Sequence, residues 1–152
     1  MAKNKNTKKT SSSIQKKTVN NRDSFENEKP IWRFDRIDND GEFAFNVHRP
    51  DFQHEEFLDK MISYSNMTWS QIRQQTHDEG KSKHHFISYD QLSKLAQNRI
   101  AALKIEDYTD SIYSFALKNK LRIIGLRGDN SEFHILWYDP DHEVCPSRKS
   151  HT

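Results

Sequence analysis

The residues with the clearest chemical potential follow the most apolar stretch of the chain. The run 132–138 leads directly into Asp139, Pro140, Asp141 and His142. Pro140 cannot continue the hydrogen bonding of a central strand, so a strand is expected to end here. An imidazole titrates near neutral pH, and a neighbouring carboxylate can orient it. We interpret His142 and Asp139 as candidate catalytic residues; a purely polar strand exit is the alternative.

Two arginines on the preceding apolar run are candidates for binding phosphate. Arg122 and Arg127 enclose four residues that include Gly125. A guanidinium is the side chain best suited to bidentate contact with phosphate. Five positions place the two arginines on opposite faces of an ideal strand, but a bulge at Gly125 could bring them together. The alternative is one salt-bridged and one solvated arginine.

A histidine pair lies upstream, next to a polar loop. His84 and His85 follow His77, Asp78 and Glu79 after a few residues. Imidazoles and carboxylates are common ligands of transition metals. Adjacent strand residues point to opposite faces, so both histidines cannot easily bind one ion. We therefore expect no metal or other cofactor, with His85 as a candidate catalytic residue and His84 as an RNA contact.

Aromatic and basic residues near the C-terminus supply further candidate RNA contacts. Trp137 and Tyr138 are expected either to pack in the core or, at the rim of a sheet, to stack on bases. Lys149 is added as an RNA-binding candidate. Cys145 is the single cysteine of the chain, so neither an intrachain disulfide nor a cysteine-based zinc site can form.

Charge is distributed unevenly along the 152 residues. Residues 1–22 carry seven lysines and arginines and no acidic residue, and removing these charges from the net +2 leaves residues 23–152 at −5. With 33% apolar residues and a mean hydropathy of −1.04, part of the chain should lack a core. We predict a disordered basic tail over 1–29 and a single domain over 30–152.

No apolar run approaches the roughly 18 residues that a membrane span requires. The N-terminal residues also lack the apolar segment of a signal peptide. The prediction is therefore a cytoplasmic protein that does not contact a membrane.

Hydrophobic periodicity predicts an α+β domain with an antiparallel sheet and helices packed on one face. A first hairpin is expected from strands at 31–37 and 42–47, around an Asp-Asn-Asp-Gly turn. The remaining predicted elements are helices at 54–65, 69–75 and 91–104, with Asp90 capping the last, and strands at 84–87, 112–117, 122–127 and 132–138.

The segment from about Tyr89 to Pro146 resembles the RelE/ParE-like toxins of bacterial toxin–antitoxin systems. Three features carry this resemblance: the helix at 91–104, the strand pair 111–117 and 121–127 joined by a tight turn, and the closing strand 133–138. The resemblance implies a RelE-like fold in which helices precede an antiparallel sheet. It also implies that Arg, Lys, His or Tyr residues on that sheet contact RNA, and that cleavage of mRNA on the ribosome needs no metal.

The leading hypothesis is a toxin of bacterial or phage origin that acts as a metal-independent RNA endonuclease. Its partners would be RNA or the ribosome and an antitoxin protein. The first alternative is a non-catalytic module that binds protein or nucleic acid through the sheet and the basic tail. The second is a metal-dependent nuclease that uses His84 or His85 with Asp139 and His142.

Overall fold

The computed structural model describes residues 25–76, 80–128 and 130–146, which form a mixed α+β fold. Within these residues, one five-stranded sheet has the order β1-β5-β4-β3-β2. Strand β1 pairs in parallel with β5, and the other neighbours are antiparallel. The strands are β1 (Ile31–Arg33), β2 (His85–Ser88), β3 (Ser111–Ala116), β4 (Arg122–Arg127) and β5 (Glu132–Asp139); the helices are α1 (His54–Ser65), α2 (Trp69–Arg73) and α3 (Lys94–Leu103).

The helices cover both faces of the sheet, so the prediction that they pack on one face is wrong. One core cluster joins α1 and α2 to strand residues such as Phe115 and Phe133. A second joins α3 to residues such as Ile124 and Leu136. The strands are apolar on both sides, and two apolar faces require two covering layers. We call these the α1/α2 face and the α3 face.

The predicted first hairpin is also absent from the described residues. Of the two predicted strands, only residues 31–33 form one, and they pair with residues of β5 that lie 101 positions further along the chain. The indole of Trp32 packs edge-on against the rings of Phe115 and Phe133, at 5.4 and 5.8 Å between centroids. Asp38, the first residue of the predicted hairpin turn, is buried. Aromatic packing on β5 therefore outweighs local hairpin formation here.

Two predicted boundaries shift because backbone groups find specific partners. The end of the predicted tail belongs to the fold, since Glu26 and Glu28 accept backbone hydrogen bonds from the start of α2. Residues 1–24 of that tail lie outside the described residues. Ser93, not Asp90, caps α3 by accepting a hydrogen bond from the N–H of Ala96.

A β-bulge interrupts the pairing of β4 with β5. Ile124 pairs with Trp137 and Gly125 pairs with Ile135, which leaves Leu136 as an extra residue on β5. A Cβ atom at Gly125 would lie 2.3 Å from the carbonyl oxygen of His134, so this position excludes any side chain. The bulge also shifts the pairing beyond it, so that Arg122 lies opposite Asp139.

Candidate functional site

Four of the five predicted catalytic residues lie near one another at one end of the sheet. Arg122 pairs with Ala116 on one side and with Asp139 on the other. His85 lies on β2, on the other side of β3 from Arg122, and pairs with Ser114, two residues before Ala116. His142 follows the end of β5. Strand alternation points the side chains of His85, Arg122 and Asp139 to the α3 face. We call His85, Lys120, Arg122 and His142 the basic end.

Arg122 is oriented by its own turn and keeps donors available. Its Nη1 donates to the carbonyl oxygens of Asn119 at 2.8 Å and Leu121 at 3.0 Å. Its Nε and Nη2 have no partner within residues 25–76, 80–128 and 130–146. Burial lowers the pKa of Arg122, and the negative charge of Asp139 partly offsets this decrease. A half-buried, oriented guanidinium with free donors is suited to binding an oxyanion.

His142 adopts a backbone conformation that is uncommon for residues other than glycine. Its φ is 60°, in the left-handed region, and its side chain is half-buried. Burial lowers the pKa of His142 below 6.5, and the charges of Arg122, His85 and Lys120 lower it further. His142 is therefore neutral at pH 7 and can accept a proton.

Asp139 does not have the free oxygens that a catalytic carboxylate requires. Its Oδ1 accepts the backbone N–H of Glu143 at 2.8 Å, and its Oδ2 accepts that of Val144 at 2.9 Å. The residue is 1% exposed. Burial raises the pKa of Asp139, and the two backbone hydrogen bonds oppose that rise. The prediction that Asp139 takes part directly in catalysis is therefore corrected, because both carboxylate oxygens are bonded to the backbone of residues 143 and 144.

Cations are concentrated at this end although residues 23–152 carry a net negative charge. Burial lowers the pKa of His84 to about 3, and the charges of Lys83, Arg122, His85 and Lys60 contribute. The charge of Lys120 likewise lowers the pKa of His142. Clustered cations create a local positive potential that attracts polyanions regardless of net charge. Sequence reasoning missed Lys120; its position in the tight turn just before Arg122 was the available signal.

Arg127 lies away from the basic end, at the other end of β4 and on the α1/α2 face. Its guanidinium lies 3.9 Å from the ring centroid of Trp69 and 4.0 Å from the carboxylate of Glu26. Its side chain is 5% exposed. The bulge at Gly125 does not bring it to Arg122. Arg127 therefore anchors the N-terminal segment to α2, and the catalytic role predicted for it is corrected.

His84 is a structural residue and does not contact solvent. Its Nδ1 accepts the backbone N–H of Ala116 at 3.0 Å, so in the neutral ring Nε2 carries the proton and donates to Gln75 Oε1 at 2.8 Å. The imidazole also packs against Tyr64 and Phe115. An RNA contact and a metal-ligand role are both incompatible with these bonds.

The predicted stacking residues are also buried. Trp137 and Tyr138 are both 0% exposed. The Tyr138 ring stacks on Phe52 at 4.3 Å between centroids, and Trp137 Nε1 donates to Asp38 at 2.8 Å. Base stacking on either ring is therefore excluded in this conformation. Lys149, the remaining predicted RNA contact, lies outside the described residues.

Two further properties concern metals and membranes. In the part of the chain that the structure describes, no three His, Cys, Asp or Glu side chains are grouped to hold a metal ion. His84 packs on the α1/α2 face, and strand alternation directs its neighbour His85 to the α3 face. No helix among the described residues has the length and apolar character to cross a membrane.

The chain is thus a mixed α+β protein with a cationic cluster at one end of its sheet. A family model described as "Uncharacterised protein UU032" matches residues 51–152, and the chain belongs to this family. No curated protein and no solved structure matches the chain. The RelE/ParE-like resemblance is therefore wrong, and the toxin role that it implied loses that support.

Proposed function

We propose that the basic end is a site for metal-independent cleavage of RNA. One observation carries the proposal: the fold brings His85, Arg122 and His142 to one end of the sheet from three different elements, and within the described residues the arginine keeps Nε and Nη2 unbonded. Two imidazoles can supply a base and an acid at once, while the arginine stabilises charge on the phosphate. The proposal concerns this site alone and does not depend on a toxin–antitoxin partner.

The proposed reaction is an internal transesterification. The neutral imidazole of His142 removes the proton of the ribose 2′-hydroxyl, and the resulting oxygen forms a bond to the adjacent phosphorus. The bond from phosphorus to the 5′-oxygen breaks, and the imidazolium of His85 gives its proton to that leaving oxygen. Arg122 and Lys120 balance the charge on the phosphoryl oxygens. The products are a 2′,3′-cyclic phosphate and a 5′-hydroxyl.

The assignment of base and acid follows the surroundings of each histidine. His142 is half-buried with a lowered pKa, so it is neutral and available as the base. His85 is exposed on an edge strand, where it can exchange protons with solvent. The two residues reach the same end of the sheet from β2 and from the loop after β5, and the proposed reaction requires the scissile phosphate to lie between them.

The test is cleavage of an end-labelled RNA oligonucleotide by the purified full chain in the presence of a chelator. We expect products ending in 2′,3′-cyclic phosphate and no cleavage of a DNA strand of the same sequence. His142→Ala and His85→Ala should each reduce the rate by about 10²- to 10⁴-fold. His48→Ala is the matched control, because His48 is an exposed histidine in the segment before α1 and is not part of the basic end. Wild-type protein that leaves RNA intact, or a fully active His142→Ala protein, contradicts the proposal.

The concentration of cations also favours a second candidate, RNA binding without cleavage. The same lysines and Arg122 would contact the phosphate backbone, and the binding would weaken strongly with salt. A protein of this kind would retain intact RNA in a gel-shift assay. Loss of the shift in Arg122→Ala, with uncut RNA throughout, would favour this candidate over cleavage.

A further inference from the structure

We infer that Asp139 is a positioning residue that fixes the backbone at His142 and so holds its imidazole at the basic end. The inference rests on the proposed function, because it assigns the residue that orients the proposed base. It concerns the segment 140–144, which we call the exit loop. The carboxylate closes this loop onto the end of β5.

The first support is the pair of hydrogen bonds that the carboxylate accepts. Each oxygen of Asp139 binds one backbone N–H, from Glu143 at 2.8 Å and from Val144 at 2.9 Å. These are the two residues that follow His142. Hydrogen bonds to an ionised acceptor are stronger than neutral ones, and this pair spans two successive peptide groups. The position of the chain just after His142 is therefore set by one side chain.

A second anchor holds the far side of the exit loop. The carbonyl oxygen of Val144 accepts the backbone N–H of Ser93 at 2.8 Å, at the N-terminal end of α3. The Val144 side chain is 0% exposed and belongs to the core cluster on the α3 face. With Asp139 on one side and α3 on the other, the loop has little freedom to move.

The backbone of His142 shows why such closure is needed. A left-handed φ of 60° is unfavourable for most residues and persists only where the surroundings enforce it. Removal of the Asp139 bonds would release that constraint and let the imidazole move away from Arg122. A misplacement of about 1 Å can reduce a catalysed rate by about 10²-fold.

The substitution that tests this is Asp139→Asn, which keeps the shape but leaves one acceptor oxygen for two N–H groups. We expect kcat for RNA cleavage to fall by about 10²-fold with little change in KM, because Arg122 and Lys120 are untouched. The matched control is Asp141→Asn, an exposed carboxylate in the same loop, which should retain wild-type kcat.

A second readout does not depend on cleavage. The His142 imidazole, followed by NMR, should titrate closer to pH 6.5 in Asp139→Asn, because a released loop hydrates the ring. The charges that act on the imidazole are those of Arg122, His85 and Lys120, and Asp139, Asp141 and Glu143 are the titratable residues nearest to it in sequence. If wild-type protein does not cut RNA, the proposed function fails, and this titration still tests the inference.

The contrary result is equally clear. If Asp139→Asn lowers the melting temperature but leaves both kcat and the His142 titration unchanged, Asp139 has only a structural role and the inference is overturned. Should Asp139→Asn fail to fold, Asp139→Ser offers a smaller side chain with one acceptor. The same titration would then decide the question in that variant.

Discussion

Arg122 on β4 and Asp139 on β5 are direct partners across the antiparallel ladder. The arginine is tied to its own turn and keeps two nitrogens without protein partners in the described chain. The two oxygens of the Asp139 carboxylate each accept a hydrogen bond from a backbone N–H. The two facing side chains therefore have different roles: the guanidinium of Arg122 can bind an external anion, and the carboxylate of Asp139 shapes a loop.

Substitution of Arg122 should weaken binding of RNA in a salt-dependent way. We expect Arg122→Ala to lower the affinity for an uncleavable 2′-O-methyl strand and to reduce the slope of log K against log salt by about 0.7, the loss of one phosphate contact. Arg122→Lys should keep the slope but bind less tightly, because an ammonium lacks the two-pronged geometry. Arg33→Ala, on the edge strand β1 and at the other end of the sheet from Arg122, is the control. An unchanged slope in Arg122→Ala would remove this residue from the interface.

His84 should make the fold sensitive to acid. Burial, together with nearby cations, lowers the pKa of His84 from 6.5 to about 3. Below pH 6.5 the imidazole of His84 therefore binds a proton in the unfolded chain but stays neutral in the folded chain. The stability is complete above that pH and is lost as the pH falls, at about 1.4 kcal/mol per pH unit for this group.

Urea unfolding at a series of pH values measures this effect. His84→Asn keeps an acceptor for the N–H of Ala116 but cannot titrate, so its free energy of unfolding should vary less between pH 6.5 and 4. His48→Asn, on the surface, should retain the wild-type dependence. Equal slopes in wild type and His84→Asn would show that another group controls acid unfolding.

Any side chain at Gly125 should disrupt the bulge. A Cβ there meets the His134 carbonyl oxygen at 2.3 Å and the Phe133 ring at 2.6 Å. The obstacle includes backbone, so relief requires β4 and β5 to separate. We expect Gly125→Ala to lower the free energy of unfolding by about 3 kcal/mol.

Gly80→Ala gives the comparison for Gly125. Nothing lies within 4 Å of a Cβ at Gly80, so only its positive φ of 81° contributes, at about 1 kcal/mol. Chemical denaturation of both variants provides the measurement. A Gly125→Ala protein as stable as Gly80→Ala would mean that the strands separate at little cost.

The buried carboxylate of Asp38 should be a major contributor to stability. It binds Arg99 through two hydrogen bonds of 2.7 and 2.8 Å and accepts Trp137 Nε1 at 2.8 Å. Asp38→Ala leaves both donors without their acceptor, and we expect a loss of about 3 kcal/mol in the free energy of unfolding. Asp40→Ala, exposed in the same turn, should change it little. Similar denaturation midpoints for the two variants would contradict this role.

The elements that follow local periodicity were predictable. The helix His54–Ser65 begins and ends where its apolar spacing indicated, and β4 occupies the predicted residues. In each case the determining interaction lies within a few residues, so the sequence pattern contains the information needed.

The candidate site was predictable in part. His85, Arg122, Asp139 and His142 were selected by residue type, and they do lie near one another. Arg127 and His84 were selected on the same grounds and are buried elsewhere. Residue type cannot separate these outcomes, because burial depends on which helix covers each end of each strand. Trp137 and Tyr138 are buried for the same reason.

The sequence by itself determined the helices, the three consecutive strands β3 to β5 and the charge contrast between residues 1–22 and the remainder. Tertiary structure alone decided the parallel pairing of β1 with β5, the cover on both faces and the assembly of the basic end. The physical reason is the distance along the chain over which each interaction acts. Backbone sterics and side-chain periodicity act between neighbours in sequence, whereas contacts such as Trp32 with Phe133 are selected by the packing of the whole core.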